Sequence, residues 1–110
     1  MMYGFAAQRR QLLEAEIARV ADEFPRLGVV RAWVTGEVAR GHVGPETPLE
    51  LLLVHETGEP FHRRAEFFVD HLRPQLDTRY YVYTPDELES LTGTDRMIDE
   101  AMQLGEPIHG

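Results

Sequence analysis

The stretch that decides the fold runs Val34-Thr35-Gly36-Glu37-Val38-Ala39-Arg40-Gly41 and then Pro45-Glu46-Thr47-Pro48-Leu49-Glu50-Leu51-Leu52-Leu53-Val54. Val29 to Val34 is a β-branched and aromatic run that follows Gly28 and ends at Gly36, the pattern of a mostly buried strand, with Trp33 as a core candidate. Gly36, Gly41, Gly44, Pro45 and Pro48 then punctuate the chain too densely for any element longer than a turn or two. Leu49 to Val54 is nearly continuous in apolar residues, as expected for a central strand covered on both faces. Glu50 is its anomaly, because a carboxylate inside a covered strand is costly unless it has a partner. A strand, a glycine turn, a short helical turn and a strand holding an acid together suggest a phosphate site beside an acidic one, since open amides at a helix start attract anions.

Outward from this stretch, Phe5, Leu13, Ile17, Val20 and Phe24 recur between charged residues at the spacing of a helix with one buried stripe, running from Gly4 to a predicted stop at Pro25. Pro60 to Leu72 places Phe61, Ala65, Phe68, Val69 and Leu72 at helical spacing, with Pro60 near the first turn and Pro74 past the end. Thr78 to Thr84 holds three tyrosines and a valine, a strand composition. Thr84-Pro85-Asp86-Glu87 supplies a capping hydroxyl, a proline at the first helical position and a glutamate at the third, which predicts a helix start. A last helix is predicted from a Thr94 cap through Leu104, with Ile98, Ala101 and Met102 inward and Gly105 ending it. The order helix, strand, strand, helix, strand, helix, helix predicts one α/β (α+β) domain over residues 1–110, a small mixed β-sheet flanked by helices.

With 110 residues, 43% hydrophobic, the chain suits one small core and excludes a second folded domain. Nineteen acidic against eleven basic residues give a net charge of -8, which disfavours duplex nucleic acid and anionic membrane surfaces as partners. There is no cysteine and no lysine, and Ser90 is the only serine. Thiolate, Schiff-base and phosphate-loop lysine chemistry are thereby excluded, and Ser90 has no triad context. No stretch has signal or membrane-spanning length, so a cytoplasmic protein is expected.

The stretch quoted above resembles minimal nucleotidyltransferases of the polymerase beta superfamily. Their signature is two hydrophobic residues, Gly-Ser, then x-Ala-Arg-Gly, which Val34 to Gly41 follows; a proline, an acidic turn and Ser-Asp-hydrophobic-Asp leading into Leu-Leu-Val come next, where Pro45 to Leu52 stands. The family's third strand runs into Thr-Pro-acid-Glu, as Thr84 to Glu87 does here. The resemblance implies a nucleotidyltransferase-like fold. It also implies a site in which two strand aspartates and a third acid hold magnesium ions bridging a nucleoside triphosphate, with the Gly-Ser turn on the phosphates.

The same alignment implies departures. The first aspartate falls on Pro48, which has no side-chain oxygen, and the second on Glu50, the one residual metal ligand. The family serine falls on Glu37, an anion that repels phosphate at close range. The third acid falls on Arg79, or on Asp77 after a register shift of two. A Glu50–Arg79 ion pair is therefore expected to replace the metals, leaving a degenerate nucleotide motif of Gly36, Glu37, Arg40 and Arg79. No cofactor is expected in that case. In the active alternative, magnesium would sit on Glu50 with Asp77 and Glu46 or Glu37 as helpers.

Several of these residues also have plainer readings. Gly36 answers equally to a turn of positive φ, and Arg40 to a surface ion pair with Glu37 or Glu46. His55, His62 and His71 are spaced too widely for a helical metal site and read as solvated. Tyr80, Tyr81 and Tyr83 suit strand packing as well as base stacking, while Asp22-Glu23 and Glu87 to Glu89 read as solvated helix faces. Three functions follow from the resemblance. One is an inactive binding or regulatory module, paired with a HEPN-type helical protein as in toxin–antitoxin systems, or with itself. The others are an active magnesium-dependent transferase moving NMP from NTP, and a nucleotide sensor without turnover.

Overall fold

The computed structural model describes residues 2–110, with side chains from Ala6 onward, so Phe5 of the first apolar stripe lies outside the described side chains. The elements are α1 (Met2–Leu27), β1 (Val29–Thr35), the single turn α2 (Gly36–Ala39), β2 (Leu49–His55), α3 (Phe61–Leu72), β3 (Thr78–Tyr83), α4 (Pro85–Leu91), α5 (Arg96–Leu104) and β4 (Glu106–His109). One mixed sheet has the order β3-β2-β1-β4, with β1 antiparallel to β2 and β4, and β2 parallel to β3. This is the α+β class that the element order predicts, and it is consistent with a nucleotidyltransferase-like fold.

Because strand side chains alternate, the two faces of the sheet collect different residues. One face carries Ala32, Val34, Leu49, Leu51, Leu53, Tyr80 and Val82, and packs on Leu13, Val20 and Phe24 of α1 and Phe68 and Leu72 of α3. The other carries Trp33, Leu52, Val54 and Tyr83 beneath Ile98 and Ala101 of α5 and Leu88 and Leu91 of α4. The apolar run of β2 is thus covered on both sides.

Two arginine clamps fasten the helices, one holding α1 to α3 and the other α3 to the sheet. Arg19 and the buried Glu16 pair at 2.7 Å; Arg19 also donates to the Leu72 carbonyl at 2.8 Å, and Glu16 accepts the Gln75 amide at 2.8 Å. Open backbone groups at the end of α3 are thereby satisfied from α1. Arg64, also buried, donates to the Val82 carbonyl at 3.1 Å and grips both carboxylate oxygens of Glu87. Glu87 completes the predicted capping box with Thr84, so it is a structural clamp residue and not part of a solvated face.

Four local expectations are corrected. α1 runs through Pro25 to Leu27, since a proline in the last turn forfeits only one backbone bond and burial of Leu27 rewards the continuation. The cap of α5 is Asp95, whose carboxylate accepts the Ile98 amide at 3.0 Å, while the Thr94 hydroxyl turns back to the Leu91 carbonyl. Met102 stays exposed instead of facing inward, and Phe61 and Val69 lie on the exposed side of α3. After Gly105 the chain forms β4, an edge strand unforeseen in the sequence. A Cβ on Gly105 would run into the Ala101 carbonyl and stand 3.0 Å from that of Val34, so glycine lets the chain leave α5 and turn close to β1. Among the described residues, no helix is long and apolar enough to cross a membrane.

Candidate functional site

The register places Thr35, Glu50 and Arg79 in one row across β1, β2 and β3, on the face covered by α4 and α5. Asp77 lies just before β3, where its carbonyl accepts the Leu49 amide at 2.9 Å. Thr35 ends β1 and Gly36 turns the chain into α2 with φ of 71°. A Cβ on Gly36 would meet the Glu50 side chain, 2.6 Å from its Cδ, so glycine is required for the turn and for the seat of that carboxylate.

Around this row lies a cavity of about 300 Å³ bounded by Gly36, Arg40, Glu50, Tyr81, Arg96 and Glu100. Glu50 is half-buried, and its Oε1 accepts the Tyr81 hydroxyl at 2.8 Å. Burial, then the hydrogen bond and the charge of Glu50, raise the Tyr81 phenol above its ordinary range. The expected Glu50–Arg79 ion pair is absent among the described residues. The two are register partners, yet the Tyr81 hydroxyl, two residues along, takes the carboxylate, and Arg79, exposed on the outermost strand, acts on that phenol instead.

Arg40 is held from both sides. Glu37 accepts from it at 2.8 Å, and Glu100 of α5 closes an ion pair across the cavity mouth. The other oxygen of Glu37 lies 3.0 Å from His42 Nδ1, and these contacts, His42 first and Arg40 second, hold its carboxyl below the ordinary range. Glu37 thus puts a carboxylate, already paired, at the turn that follows Gly36. Glu46 is not an Arg40 partner.

Of the sequence candidates, the structure brings Gly36, Arg40 and Glu50 to one cavity, Glu37 to its lip and Arg79 to the adjoining edge. Sequence reading missed Tyr81 as the partner of Glu50 and the whole contribution of α5, namely Arg96 and Glu100. Their spacing of four, opposite the buried Ile98 and Ala101, marks them as neighbours on one helix face, but nothing local says which cavity they meet. Among the described residues no group of three or more histidine, aspartate or glutamate side chains converges as a metal site would require. The donors present fit a divalent ion poorly, because Glu50 is engaged by Tyr81 and Pro48 offers no oxygen. His55 stacks on Phe67, ring centroids 5.5 Å apart, and meets the Gly28 carbonyl, a packing role.

No family model, no curated protein and no solved structure matches the chain. The likeness to minimal nucleotidyltransferases therefore rests on the residues quoted above.

Proposed function

We propose that this protein is a catalytically inactive relative of the minimal nucleotidyltransferases, acting as a binding or regulatory module. The observation that carries the reading is the condition of Glu50, the one acid of β2, which accepts a tyrosine hydroxyl at 2.8 Å and has a proline where its paired acid would stand. In-line transfer of a nucleotidyl group needs cations that offset charge on the triphosphate, and a divalent ion needs several well-placed oxygens. Here the other nearby acids, Glu37 and Glu100, are committed to Arg40. In this reading the chain works in the cytoplasm beside a protein partner, a HEPN-type helical protein or a second copy, and uses no magnesium.

Calorimetric titration with ATP and magnesium, paired with a pyrophosphate assay, tests it. The expected result is no pyrophosphate and no magnesium-dependent heat. Pyrophosphate release abolished by Glu50→Ala would overturn the reading in favour of an active transferase. Metal-independent ATP binding weakened by Arg96→Ala would instead make the module a nucleotide sensor.

A further inference from the structure

A second cavity, about 410 Å³, opens at the other end of the same sheet face, within the roughly 300–1,000 Å³ of small-molecule sites. Its walls are apolar: Val30 and Val54 from the sheet, Leu88 from α4 and Met102 from α5. Val30 and Met102 remain 52% and 38% exposed, so this apolar surface is open to a ligand. Two charged residues of opposite sign, Arg31 and Glu89, also line it.

Among the described residues neither Arg31 nor Glu89 takes part in an ion pair, with each other or with any third residue. They line one cavity without closing on one another. The Arg31 guanidinium lies over the Trp33 ring, 4.6 Å from its centroid, a face contact that leaves its edge N–H groups available to a carboxylate. An apolar wall with an unpaired cation and an unpaired anion suits a ligand carrying both charges and a hydrocarbon tail.

We propose that this cavity binds a free α-amino acid with an apolar side chain. Its carboxylate accepts from Arg31, its ammonium donates to Glu89, and its side chain packs against Val54, Leu88 and Met102. A fork-shaped guanidinium suits a carboxylate, which it can meet with two parallel hydrogen bonds. The proposal depends on no nucleotide and stands apart from the inactive-transferase reading, since the two cavities share no lining residue.

Calorimetry and thermal shift with L-leucine and L-phenylalanine test the proposal. The controls are glycine, which lacks the tail, 4-methylpentanoate, which lacks the ammonium, and 3-methylbutylamine, which lacks the carboxylate. At least one of the two amino acids is expected to bind saturably, with each trimmed analogue weaker by about tenfold or more. Arg31→Ala should weaken the amino acid by a similar factor, and Glu89→Gln should do so while sparing 4-methylpentanoate. Both side chains are exposed, so circular dichroism of the variants should match the parent. No saturable binding of either amino acid at millimolar concentration, or binding indifferent to both substitutions, overturns the proposal.

Discussion

The two cavities share one sheet face and one covering helix, yet they differ in how their arginines are held. At the Thr35–Glu50 end, Glu37 and Glu100 both pair with Arg40 and the Tyr81 hydroxyl donates to Glu50, while Arg96 lines the cavity outside any ion pair among the described residues. At the Arg31–Val54 end, four residues back along β1 and about 13 Å away, Arg31 and Glu89 stand unpaired over an apolar wall. A cation already gripped by two carboxylates, as Arg40 is, has little to offer an anionic ligand, because binding must first break an internal pair. Unpaired charges on an open surface present no such obstacle. In this comparison the end that resembles an enzyme is the quieter one.

The largest expected effect tests what holds the open end together. Arg64→Ala leaves Glu87 and the Val82 carbonyl without their partner and loosens α4, which roofs that cavity. A loss of about 2 kcal/mol is expected in denaturant unfolding, below the full value of a buried pair because Glu87 is partly exposed. Amino-acid binding should weaken with it.

Acid sharpens the same point. Arg64 holds the Glu87 carboxyl below its usual 4.5, and Arg19 does the same for Glu16. A depressed carboxyl stabilises the fold above its unfolded value, and that contribution drains as pH falls through the folded value. Stability should therefore drop below about pH 4.5, and Glu16→Gln, though less stable at neutral pH, should show a shallower decline.

At the satisfied end, Gly36→Ala must take up a left-handed backbone and displace Glu50, at a cost of about 1–2 kcal/mol. Tyr81→Phe removes only the hydrogen bond to Glu50, about 1 kcal/mol by thermal melt. If Tyr81→Phe instead created magnesium binding, Glu50 would be a masked ligand and the contrast between the two ends would fail.

The smallest effect lies on the opposite face. The buried Tyr80 hydroxyl has no hydrogen-bond partner among the described residues, and burial raises its phenol to about 12. Tyr80→Phe should leave stability unchanged or raise it by up to about 1 kcal/mol. Because the folded phenol titrates above its unfolded value of 10.0, wild-type stability should fall as pH rises from there toward 12, and the variant should fall less.

Much of the fold was legible because its elements announce themselves locally: Leu49 to Val54 by continuous apolarity, Thr84 to Glu87 by capping chemistry, Phe68 and Leu72 by helical spacing. β4 was not, since four residues containing Pro107 read as a tail and become a strand only by pairing with β1. The site was half legible. The sequence left Arg79 and Asp77 as rivals for the place beside Glu50, and the register selects Arg79; which neighbour then bonds the carboxylate depends on packing across strands. Likewise, no local signal tells that Glu100 crosses from α5 to Arg40.

Trp33, the chain's single tryptophan, sits on the strip of sheet between the two cavities, buried and beneath the Arg31 guanidinium. Its indole emission is thus an intrinsic optical probe: a ligand that draws Arg31 off the ring should change fluorescence intensity or wavelength without any label, whereas events around Arg40 should leave the spectrum nearly still.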